Sequence, residues 1–154
     1  MNFNLTNETY LLSSKIKEIQ EYIINFKKEN NYSNRVFIRL CMNYYFAEDK
    51  LSNKKNKIPS LEFSFKIIMI THSGDKIFLP NVIVNSNEDR KKYTTMSYRH
   101  RLNHYRTLKY IAETIQEYLN SKNFIVEIID IPEEDKKLVT YNNSIRVSNK
   151  IMRK

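Results

Sequence analysis

Apolar residues near the start of the chain recur at alternating spacings of four and three, at Leu12, Ile16, Ile19, Ile23 and Phe26. That period predicts an amphipathic helix of about five turns, capped by Thr6 with Glu8 in its first turn and ending near Asn30-Asn31. The period then changes to two. In RVFIRLCMNYYF, the residues Val36, Ile38, Leu40, Met42, Tyr44 and Phe46 fall on one side, as in a long half-buried strand. A polar loop, AEDKLSNKKNKIP, leads into LEFSFKIIMI, where Leu61, Phe63, Phe65, Ile67 and Met69 alternate with mostly polar partners.

Between this second strand and KIFLPNVIV lies HSGD, a hairpin signal in which Gly74 supplies the flexible position. Pro80 cannot donate to a β-ladder, so the third strand is expected at an edge or bulged there. Ser86 with Asp89 reads as the cap of a helix that runs, with a break near Thr94-Thr95, to about Ser121. FIVEIIDI is a fourth strand, stopped before Pro132, and VTYNNSIRV reads as a small hairpin around Asn142-Asn143.

These elements predict an α+β domain in the order α-β-β-β-α-β: an antiparallel sheet of about four strands, both helices packed on one face, and a C-terminal tail or small hairpin. At 154 residues the chain is expected to be one compact domain over residues 1–154, with residues 132–154 a loosely attached tail. No internal repeat or linker divides it. Gly74 is the single glycine, so loops needing positive φ must use Asn or Asp. The order of the first five elements is similar to that of double-stranded RNA-binding domains. The likeness is confined to that order, because the glycines are absent and the second helix does not open with the lysine cluster that carries RNA contact in that family.

Within the second helix, Leu108, Ala112, Ile115 and Leu119 fall on one line, flanked by Tyr105 and Ile111, which marks the buried side. Arg99, Arg106 and Tyr110 fall opposite, with Asn103 beside them and Glu113 and Glu117 further along. The exposed side is therefore expected to be basic in its first half and acidic in its second. His100 and His104 stand four apart, a spacing that lets two imidazoles share a metal, but they lean toward the apolar side. The intervening residues, HRLNH, also lack the glutamate of a zinc-protease helix. No metal is expected.

Net charge then changes the picture. The chain carries +9, and the window 90–112 holds Arg90, Lys91, Lys92, Arg99, Arg101, Arg106 and Lys109 with no acid, which is +7 by itself. Abundant Asn (19), Ile (19) and Lys (18) point to AT-rich coding, which accounts for part of the lysine but not for this clustering. The cations are interleaved with Tyr93, Tyr98, Tyr105 and Tyr110, a mixture able to pair phosphates and stack on unpaired bases. A second basic stretch, Lys50, Lys54, Lys55 and Lys57, follows the first long strand.

Catalytic chemistry finds little support. His72 and Ser73 share the predicted turn with no orienting acid arranged for a triad, Cys41 sits mid-strand, and glycine-rich phosphate loops are missing. The lone cysteine and the lack of a long apolar run predict a soluble protein of a reducing cytoplasm, with no membrane partner and no cofactor. The expectation is a non-catalytic binding module for nucleic acid or a nucleoprotein complex. Its contacts would come from Arg99, Asn103, Arg106, Tyr110, Lys91, Lys92, Lys109, Lys54, Lys55 and Lys57. The competing expectation is a phage or mobile-element protein, anti-CRISPR-like, that inhibits a host defence or nucleic-acid-processing enzyme by setting the same surface against an acidic protein face.

Overall fold

The computed structural model describes residues 3–4, 9–30, 32–48, 57–84 and 98–140. A two-residue strand, β1 (Phe3–Asn4), precedes the long helix α1 (Thr9–Asn30). The strands β2 (Arg35–Glu48) and β3 (Lys57–Ile70) follow, then the short strands β4 (Lys76–Phe78) and β5 (Val82–Ile83). The second long helix, α2 (Tyr98–Ser121), leads into β6 (Ile125–Ile129) and the short helix α3 (Glu133–Thr140). Among the described residues, no helix is long and apolar enough to cross a membrane.

The architecture is α+β, with the expected order of elements and both long helices sharing one core. The sheet runs β1-β5-β3-β2-β6, with β4 also on β3. It is mixed rather than antiparallel: β2 and β3 are antiparallel, whereas β6 lies parallel to β2 and β1 parallel to β5. The cause lies in the two helix exits. Both α1 and α2 end at the same end of the strands, and each turns sharply into its strand, so β2 and β6 set out in the same direction. The two turns are joined there, with the Ile125 N–H donating to the Asn34 carbonyl (2.9 Å) and the Asn34 side-chain amide donating to the Asn123 carbonyl (3.1 Å). Alternation carries no strand direction, so it could not reveal this.

Period-two burial holds through the centre. Val36, Ile38, Leu40 and Met42 of β2 and Leu61, Phe63, Phe65, Ile67 and Met69 of β3 are buried against Ile16, Ile19 and Ile23 of α1 and Leu108, Ile111, Ile115 and Leu119 of α2. Each such fully buried aliphatic or aromatic side chain contributes about 1.5–3 kcal/mol relative to exposure. The β3–β4 turn takes the expected form. Gly74 has φ of 93°, and Ser73 donates to the Asp75 carboxylate (3.2 Å).

Pro80 does interrupt the third strand. The register with β3 is Ile68 opposite Phe78 before it and Phe65 opposite Val82 after it, a slip of one residue. This is a β-bulge where proline cannot donate. At the end of α2, Asn123 takes the positive φ (69°) that the lack of glycine demands, and the Phe124 N–H reaches back to the Leu119 carbonyl (3.0 Å). The expected hairpin over VTYNNSIRV is not formed at its start: Val139 and Thr140 belong to α3, with Val139 buried in the core. Acids in the first turn of α3, Glu133, Glu134 and Asp135, favour its helical start. The remainder of that segment lies outside the described residues.

The outer edge of β6 is closed by α2. Val126 turns its N–H and C=O away from β2, and both are taken by helix side chains. Asn120 Oδ1 accepts from the N–H (3.2 Å) and Gln116 Nε2 donates to the carbonyl (2.9 Å). An open strand edge is a template for pairing with another chain, and these two amides cover its first half. Replacing Gln116 and Asn120 together by alanine is expected to lower stability by about 1–3 kcal/mol, at roughly 0.5–1.5 kcal/mol per hydrogen bond removed. Sedimentation should also show new concentration-dependent association; a double variant that keeps both melting temperature and sedimentation profile contradicts this role.

Candidate polyanion-binding surface

Helix α2 packs on β2, β3 and β6 through the line of Leu108, Ala112, Ile115 and Leu119, and this burial fixes what its other side presents. Asn103, Arg106 and Tyr110 are exposed together, and Tyr110 at 62% is among the most exposed large hydrophobic residues described. Glu113 and Glu117 continue the same side toward the C-terminal end. Lys109 is half-buried, its ammonium 5.7 Å from the centre of the Tyr105 ring. Arg99 lies in the first turn of α2 and Lys57 opens β3, but their side chains are outside the described residues, as are Lys54, Lys55, Lys91 and Lys92 altogether.

Topology relates the two basic stretches. Tyr105 reaches Asp130 just beyond the end of β6 while Gln116 and Asn120 reach its start, so α2 runs antiparallel to β6 and hence to β2. The first turn of α2 therefore points toward the end of the sheet where Glu48 pairs with Lys57.

One cation of the basic window is not on the surface. Arg101 is 1% exposed, one turn before Tyr105 in the helix, and so is not presented on the outward side of α2. The signal was present in the sequence, since Arg101 stands one heptad before Leu108 and so shares its side of the helix. His104 is also buried, at 8%, with its ring tilted 30° against Phe63 at 5.7 Å. Its place on the apolar side is the one the helix period gives it.

A polar junction that no local pattern announces holds α2 in place. The Tyr105 hydroxyl donates to both oxygens of Asp130 (2.9 Å each), the Ile131 N–H donates to Asp130 Oδ1 (2.8 Å), and Lys136 of α3 pairs with Asp130 Oδ2 (3.2 Å). Tyr105 and Lys136 stand 25 residues before and 6 residues after Asp130, beyond the reach of helix or strand periodicity. Burial opposes ionisation of Asp130, but the hydrogen bonds from Tyr105, Ile131 and Lys136 prevail and hold the carboxyl below its ordinary 3.8. Burial, and then the hydrogen bond and charge of Asp130, push the Tyr105 phenol far above its ordinary 10.0.

The two shifts have opposite consequences for stability. Asp130, with its folded value lowered, stabilises the fold above pH 3.8 and loses that contribution as pH falls through the lowered value; Tyr105, raised, loses its contribution as pH climbs past 10.0. Urea titrations are expected to show Asp130→Asn less stable than wild type at neutral pH, with the gap closing in acid. The gap between wild type and Tyr105→Phe should close in alkali. Gaps that stay constant with pH contradict the junction.

No protein-family model, curated protein or solved structure matches this chain.

Proposed function

We propose that the protein is a non-catalytic module that binds nucleic acid, or a nucleoprotein complex, through the basic first half of α2. The supporting observation is the grouping of Asn103, Arg106 and Tyr110 on one exposed side of a helix whose opposite side is locked into the core. Arginine pairs phosphate oxygens, asparagine adds a neutral donor, and the tyrosine ring offers a flat surface to a base or sugar. The contacts expected of this arrangement are mostly to the backbone, so affinity falls with salt as counterions are released.

A second reading has its own support. Glu113 and Glu117 follow Tyr110 on the same side, so a long polyanion laid along the whole helix meets repulsion in its second half. A protein face of mixed charge does not, and under this reading the chain inhibits a defence or nucleic-acid-processing enzyme by direct contact.

Fluorescence polarisation with short RNA and DNA across a salt series separates the two. The expected plot of log affinity against log salt falls with a slope steeper than about −2, or roughly −0.7 to −0.9 for each phosphate contacted. Arg99→Glu with Arg106→Glu should weaken binding at least about tenfold and flatten the slope by roughly one for each phosphate left unpaired. A flat plot for wild type defeats nucleic-acid binding. Capture of a protein from lysate that survives nuclease and disappears in the same double variant favours inhibition.

A further inference from the structure

The face of the sheet turned away from both helices carries a second cationic surface, built by register rather than by sequence clustering. Three successive rows cross it. In the first, at the end of the β2–β3 ladder, Arg35 of β2 lies opposite Ile125 of β6 and Lys76 of β4 lies opposite Ile70 of β3. In the next row Phe37 lies between Glu127 and Ile68, with Phe78 beyond. In the third, Arg39 lies between Ile129 and Lys66. The middle row is thus two phenylalanines on either side of a buried isoleucine, about 10 Å apart at two strand spacings, with two cations in the row on each side.

The side chains are presented outward. Phe78 is 59% exposed, Arg35, Arg39 and Lys76 are exposed, and Phe37 and Lys66 are half-buried. The Arg35 guanidinium stands 5.5 Å from the centre of the Phe37 ring, placing positive charge beside the aromatic surface. Glu127 is the single acid in these rows. Ile125, at 63%, and Ile129 extend the apolar area along β6. The surface ends one row past Arg39, where Ser64 and Ile83 are buried.

We infer that this outer face is a platform for single-stranded nucleic acid, with Phe37 and Phe78 stacking on bases and Arg35, Arg39, Lys66 and Lys76 pairing with the backbone phosphates. Charge complementarity selects a polyanion, and the flat aromatic pair at its centre selects one with unpaired bases, because a duplex hides its base faces. The platform lies on the opposite side of the molecule from the exposed side of α2, so the two surfaces can succeed or fail separately.

Cys41 provides a built-in reporter. It is the only cysteine, it lies opposite Ser64 in the row that bounds the platform, two residues beyond Arg39, and it is half-buried with a thiol that burial holds above its ordinary value. Its rate of modification by a maleimide at one mildly alkaline pH reads occupancy of the Arg39 end of the platform.

The experiment uses the full chain with oligo-uridine and oligo-thymidine of about ten nucleotides, a duplex of the same length, and poly-glutamate. Binding is read by polarisation and by Cys41 modification. Phe78→Ala and Arg39→Glu change exposed side chains, so circular dichroism should show the fold retained. Each is expected to weaken single-strand binding about tenfold, with much less effect on duplex. Bound single strand should slow Cys41 modification several-fold, and comparison of the two oligonucleotides assigns the sugar preferred. If single strands bind but Cys41 reacts at its free rate and only Arg106→Glu weakens them, the platform is overturned and the α2 reading stands. If Phe78→Ala weakens binding while Arg106→Glu does not, the platform stands and the α2 reading falls. Protection of Cys41 by poly-glutamate but by no oligonucleotide overturns the platform in favour of an acidic protein surface, and absence of all binding overturns both.

Discussion

The pairing of β2 with β3, from Val36 opposite Met69 to Glu48 opposite Lys57, is the constraint on which the rest of the molecule depends. It commits one side of two long strands to a continuous apolar surface that both α1 and α2 cover. A shift of a single residue would turn Phe63, Phe65 and Ile67 outward and Glu62 and Lys66 inward, so burial of one side enforces the register. The same pairing sets Arg39 beside Lys66 and Phe37 beside Ile68 on the other side. Core and outer surface are two consequences of one ladder.

Helix α2 joins these parts. Its apolar side completes the core, its amides close the edge of β6, and Tyr105 ties it to Asp130 and so to α3. Because so much of the helix is committed inward, the side left over is narrow and well defined, and its exposed polar groups are held in fixed relative positions. Burial of Arg101 belongs to this inward commitment. A cation that looks, along the linear chain, like part of a basic patch belongs to the foundation of the helix.

Charge is consequently distributed differently from its distribution along the chain. The densest basic window, residues 90–112, gives up one cation to the interior, and Lys109 half-buries its stem against Tyr105. Arg35, Arg39, Lys66 and Lys76, scattered over 42 positions and inconspicuous in any window, converge on the outer sheet because three strands bring them to either side of the row of Phe37 and Phe78. Sequence clustering detects charge on one helix. It does not detect charge assembled across strands.

Local period and local chemistry were legible in the chain before any tertiary contact was known. The helix and strand periods place α1, β2, β3, α2 and β6, Gly74 and Asn123 supply the positive φ angles, Pro80 breaks its ladder, and the α2 period puts Asn103, Arg106 and Tyr110 outward. Tertiary structure alone decided strand direction, the seating of α3 through Val139, the junction of Tyr105 with Asp130 and Lys136, and the rows of the outer face. Alternation is blind to direction, and contacts between residues far apart in the chain leave no periodic trace. They arise only once the β2–β3 ladder has fixed which residues share a row.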